Sequence, residues 1–178
     1  MLLFGKIDSK RCPANGVHNK IFFSHDNRTV LRVSGKDDED EQNQLKRGNQ
    51  VLQYISQLQS CLGPLAVKLV HELQQVDEVP EFITFEETFE SYWVSEIENL
   101  GAQTLQDDFP AGDREIKFVV VCLIWYFSVM RAEIGFVHRD LHMANLMWRD
   151  LPKPVTIAFN QTLFFTQITR VPVVIDFD

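Results

Sequence analysis

The stretch His138-Arg139-Asp140-Leu141-His142-Met143-Ala144-Asn145 gathers a carboxylate, an amide and two imidazoles. Apolar segments flank it, Phe136-Val137 before and Leu146-Met147-Trp148 after, so it reads as a polar loop held at both ends. A second carboxylate, Asp176, ends the apolar run Val171 to Ile175. Phosphoryl transfer needs such a set: a carboxylate that orients a hydroxyl and takes its proton, with oxygen donors for magnesium. Magnesium takes few protein oxygens and completes its shell with phosphates and water. Asn145 and Asp176 are of the right type. His138-x-Asp140 also opens the pattern of an iron site with two histidines and one carboxylate. That site needs a distant second histidine; none follows His142, which lies too close on the same loop.

The elements that must position these residues can be read from periodicity. Lys20 to Ser24 and Thr29 to Ser34 are β-favouring runs, and His25-Asp26-Asn27-Arg28 between them predicts a hairpin turn. Asp37 to Leu58 reads as a helix with acidic residues at its start and the stripe Leu45, Leu52, Ile55 and Leu58; Gly48 inside it is a mild cost. Gly63-Pro64 breaks it. Val67 to Leu73, Phe82 to Phe85 and Tyr92 to Ile97 are candidate strands. A second helix starts near Asp113 and ends before Gly135. Its stretch Ile116 to Met130 is apolar nearly all round, which predicts burial on most sides. Pro152 to Arg170 reads as a hairpin-like insertion with strands Val155–Phe159 and Leu163–Ile168, and Val171 to Ile175 as a separate short strand. The order predicts an α+β fold.

Composition sets the bounds. The 178 residues suffice for one domain with a real core. A net charge of -8 argues against a nucleic-acid partner, and the acidic run Lys36 to Glu41 reads as a solvated face. The strongest apolar run, Phe118 to Phe127, is short of the ~20 residues of a membrane helix, so no membrane is expected. Cys12, Cys61 and Cys122 form no CxxC pair, and their odd number speaks against a disulfide framework. MLLFGKIDSKR is too quickly polar for a signal peptide. An intracellular setting follows as the expectation. The 14 phenylalanines, and Cys122, are expected in the core.

The loop matches H-R-D-x-x-x-x-N at every fixed position, and Asp176-Phe177 match the start of D-F-G. In this order, behind an apolar helix, the chain resembles the protein-kinase superfamily. Leu141-His142 is similar to the haspin-type and small-molecule kinases. The resemblance implies a single two-lobed kinase-like domain over 1–178, truncated after the strand that leads to Asp176. Its N-lobe, a sheet and one helix, would run to about residue 95, and a partial C-lobe with the catalytic loop from about residue 99. It implies ATP and Mg2+, with Asp140 as catalytic base, His142 beside the transferred phosphate, and Asn145 and Asp176 as metal ligands. Ala14 to Ile21 lies over the glycine-rich loop, keeping Gly16, with Asn19 standing in for a glycine because asparagine tolerates positive φ. Arg32 falls where the family has its phosphate-binding lysine, and Lys20 is an alternative ammonium. Glu96, Ile97 and Glu98 fall at the hinge that offers backbone groups to adenine.

Three departures stand out. Arginine for lysine is not a conservative exchange. Gly48 occupies the expected position of the glutamate that should pair with that cation, leaving Glu41 or Glu39 as substitutes. Asp178 replaces the glycine of D-F-G, and no substrate-binding helices follow in the sequence. The resemblance therefore implies transfer to a protein Ser/Thr hydroxyl. Its rivals are a pseudokinase acting on a regulatory protein partner and a small-molecule kinase of the choline or aminoglycoside type. Such short kinases are reminiscent of viral or bacterial effectors, for which the expected compartment is the cytoplasm or nucleus of a host cell.

Overall fold

The computed structural model describes residues 4–8, 14–15, 19–101 and 103–177. They form an α+β structure of two compact units. The first takes its described residues from 1–53, 68–99 and Phe177; the second comprises Tyr54–Val67 and Leu100–Asp176. The segment 54–67, read from sequence as part of the first half, thus belongs to the second unit.

The first unit is built on a five-stranded antiparallel sheet. Its strands are β1 (Ala14–Asn15), β2 (Asn19–Phe23), β3 (Thr29–Gly35), β4 (Leu69–Val76) and β5 (Tyr92–Glu98), in spatial order β1-β2-β3-β5-β4. Side chains alternate across a strand. One face carries Phe22, Leu31, Val33 and Val94, packed with Ile7 and Ile83. The helix α1 (Glu39–Gln57) lies on the other face, where Lys46 Nζ sits 4.8 Å from the Trp93 ring centroid. The Asn49 side chain accepts the Leu73 N–H at 3.1 Å. Asp38 caps the start of α1, its carboxylate accepting the N–H groups of Asp40 and Glu41 at 2.9 and 3.1 Å. The β2–β3 turn is where the sequence placed it. Asp26 accepts from Ser24 Oγ and from the Arg28 N–H, and Asn27 supplies the positive φ of 58°.

Phe82 to Phe85 is not a strand. Ile83 donates its N–H to Pro80 in a turn and buries its side chain in the core, while Phe85 stacks with Phe89 and Tyr92. The apolar run serves as a plug, and no strand pairs with it among the described residues. Gly35 is required by the same packing: a Cβ there would stand 2.2 Å from Cδ2 of Phe89.

The second unit consists of α2 (Gln59–Leu62), α3 (Asp113–Ile134) and one long antiparallel hairpin, β6 (Leu146–Ala158) and β7 (Phe164–Val174). The expected insertion and the expected strand Val171 to Ile175 are the two ends of this hairpin. Pairing runs from Leu146↔Val174 to Ala158↔Phe164, with bulges that absorb Pro152 and Pro154. Two arginines fasten it. Arg149 donates to the Pro64 carbonyl and, at 2.9 Å, to that of Ala66. Arg170 lies 4.1 Å from the Trp148 ring centroid, and donates to Asp108 and, at 2.7 Å, to Glu115. Burial works against the Arg170 charge, but those two carboxylates outweigh it and hold the guanidinium above its ordinary pKa.

Gly135 closes α3 in the left-handed conformation, φ 66°. Its N–H returns to Arg131 and that of Phe136 to Met130. Phe118, Val119, Cys122, Tyr126 and Met130 are buried, and burial pushes the Cys122 thiol up to about 12. The expectation of burial on most sides fails here. α2 and β7 pack on one side only, and Ile116, Val120 and Ile124 are exposed. Among the described residues no helix is long and apolar enough to cross a membrane.

Candidate active site

The second unit brings together four residues singled out in sequence: Asp140, His142, Asn145 and Asp176. The loop leaves α3 through Gly135, turns at Arg139-Asp140, and enters β6 through the 3-10 turn Met143–Asn145. Asn145 is its keystone. It is 7% exposed, and its side-chain amide donates to the Asp140 carbonyl at 3.0 Å, spanning the loop. Its own carbonyl accepts the Ile175 N–H at 3.0 Å. One residue thus ties the Asp140 turn to the strand end that delivers Asp176. Because the amide nitrogen is engaged, the carbonyl oxygen of the Asn145 side chain is the atom left to serve a cation.

The Asp140 side chain is 82% exposed, with His142 Nε2 at 3.6 Å from its carboxylate. Its N–H donates to His138 Nδ1 at 3.3 Å. The His138 ring packs edge-on against Phe127 and Phe136, with centroids 6.2 and 6.0 Å away, so it supports the loop from beneath. Asp176 is exposed and has φ 61°, a conformation aspartate tolerates better than most residues. Among the described residues no three His, Cys, Asp or Glu side chains gather as a metal site. The expected magnesium donors, one amide oxygen and one carboxylate, suit a hard cation that completes its shell with phosphate oxygens.

The residues of the first unit are distributed differently. Lys20 pairs with Val33, and Arg32 with Ser95, so the two cations leave opposite faces of the sheet. Lys20 Nζ lies 5.6 Å from the Phe85 ring centroid, over the core cluster. Arg32 leaves on the face that carries Trp93 and α1. Glu41 is held by Lys36 at 3.0 Å. Asn19 does not act as a glycine substitute: it is the first residue of β2, and its side chain accepts from Ser34 Oγ at 2.5 Å. Gly16 and Asp178 lie outside the described residues.

Glu96, Ile97 and Glu98 are paired residues of β5, with β3 on one side and β4 on the other. The Glu98 N–H donates to Lys68. The strand ends at Glu98, and the Asn99 N–H that follows donates to the Arg28 carbonyl at 2.8 Å. The Glu96 side chain is buried, linked to Thr29 Oγ1 and 3.3 Å from His71 Nε2. This three-strand polar link, like Arg149 and Arg170, has no signal in the sequence, because its partners meet only through the fold. No protein-family model matches the chain, and no curated protein matches it either.

Proposed function

We propose that the chain is a phosphotransferase of protein-kinase type that uses ATP and magnesium and acts on a protein Ser/Thr hydroxyl. The fold we infer with it is a kinase-like one. The observation that carries the reading is the Asn145 keystone. It links the Asp140 turn and the Ile175–Asp176 strand end through two backbone-directed hydrogen bonds of 3.0 Å. Such a tie fixes a proton acceptor and two oxygen donors in one frame, and phosphoryl transfer depends on positioning more than on covalent chemistry. In this reading Asp140 orients the acceptor hydroxyl and takes its proton. His142 stands beside the transferred phosphate. Asn145 and Asp176 hold magnesium, whose chemical contribution is to neutralise phosphate charge. Arg32, at the position of the family's phosphate-binding lysine, is the proposed nucleotide cation, with Lys20 as the alternative.

Binding and catalysis are tested separately. ATP should raise the melting temperature, more so with magnesium; a hundredfold excess over Kd corresponds to about 2.7 kcal/mol. Asp140→Asn should keep that shift and lower phosphate transfer to a protein substrate by roughly 10²–10⁴-fold. No shift at millimolar nucleotide would sink the reading. A pseudokinase is the second reading, favoured by Glu41, which is committed to Lys36 instead of the nucleotide cation. It takes the lead if wild type binds ATP and transfers nothing.

A further inference from the structure

The exposed face of α3 has a composition that a solvated helix does not need. Ile116, Val120 and Ile124 are 38%, 48% and 62% exposed. They recur at four-residue spacing and so form one stripe along the helix. Leu123, Phe127 and Ile134 continue it, each half-buried. At the C-terminal end the stripe opens into a cavity of about 190 Å³ lined by Phe127, Arg131, Val137 and Leu141. The same stripe ends in opposite charges, Asp113 at the first residue and Arg131 in the last turn, both exposed. Neither takes part in an ion pair among the described residues.

We propose that this face is a self-association surface, on which α3 of a second copy of the chain packs antiparallel. An isologous pair needs a surface complementary to itself across a two-fold axis. This stripe is: an acid at one end and a base at the other, about 27 Å apart along the helix, exchange partners when the helix is turned end for end. A dyad at the middle of the helix sets Asp113 against Arg131 of the second copy. It also sets Val120 against Ile124 of that copy, and the Lys117 ammonium against the ring of its Phe127. Each apolar contact removes surface now in water. Each ammonium gains an aromatic face. Opposed macrodipoles add to the attraction. A parallel arrangement would place Asp113 against Asp113 and Arg131 against Arg131. The charges therefore set the direction as well as the partner.

The experiment is analytical ultracentrifugation of the full chain over a concentration series, with far-UV circular dichroism and melting as fold controls. Wild type should show a reversible monomer–dimer equilibrium. Val120→Glu and Ile124→Glu, each at an exposed position, should weaken it by at least roughly tenfold, with the far-UV spectrum unchanged and the melting temperature equal to that of dilute, monomeric wild type. Asp113→Arg and Arg131→Asp should each weaken the dimer, and the double reversal should restore it. A wild type monomeric at every concentration would overturn the proposal and assign the stripe to another occupant. So would a dimer indifferent to Ile124→Glu, or a double reversal no better than its parents.

Discussion

Asp176 and Asp140 are both exposed carboxylates on neighbouring segments, yet the backbone treats them differently. Asp176 has φ 61°, where most side chains are strained and Asp or Asn are tolerated. Asp176→Asn should therefore leave the melting temperature near wild type while removing magnesium-dependent nucleotide binding, read in a titration with and without the metal. Asp176→Ala should add a loss of stability of about 1 kcal/mol, visible in denaturant unfolding. Equal melting of the two variants would show that the conformation carries no cost. The cations separate in the same way. Because Lys20 and Arg32 leave opposite faces of the sheet, only one can reach a given phosphate group. Arg32→Ala should weaken ATP binding and Lys20→Ala should not; the reverse order by calorimetry would make Lys20 the phosphate ligand. The residue types of the loop were readable in sequence because they sit within eight positions of one another. The link from Glu96 to His71 and Thr29 was not, since it joins three strands separated by long stretches of chain.

Elements were legible where local chemistry settles them. Asp26-Asn27 announces the β2–β3 turn, and the acidic start of α1 carries its own cap at Asp38. They were misread where a neighbour decides. Phe82 to Phe85 has strand composition but plugs the core through Ile83 and Phe85. Pro152 to Arg170 reads as an insertion apart from Val171 to Ile175, but β6 and β7 form one continuous hairpin with a register shift between Asp150 and Val155. Ile116 to Met130 is apolar nearly all round, and sequence cannot say which side the fold covers. The Phe85–Phe89–Tyr92 aromatic group gives this scale its own test. The Phe89 ring occupies the space where a side chain at position 35 would begin. Gly35→Ala should cost roughly 1–3 kcal/mol by overpacking, measured by urea unfolding. Phe89→Leu in the same background should recover part of it. A Gly35→Ala variant as stable as wild type would mean that the ring moves aside freely.

At the scale of the molecule, the second unit is discontinuous in sequence. Tyr54–Val67 is separated from Leu100–Asp176 by strands of the first unit. The detached segment supplies the Pro64 and Ala66 carbonyls that receive Arg149, the Cys61 carbonyl that receives the Trp125 indole N–H, and the buried Leu62, Leu65 and Val67. A fragment beginning at Leu100 leaves Arg149 and Trp125 without those acceptors. It should show poor amide dispersion by NMR; a well-dispersed spectrum would show that the segment is dispensable. The same arrangement constrains the order in which the chain can mature on a ribosome. When Asn99 emerges, the first unit has all five of its strands, but Leu62, Leu65 and Val67 lack the rest of their own unit to pack against. At about 5–20 residues per second, the rest of the second unit takes roughly 4–15 s to appear. For that interval the nascent polypeptide carries 54–67, between the body of α1 and β4, without the partners that later cover Leu62, Leu65 and Val67.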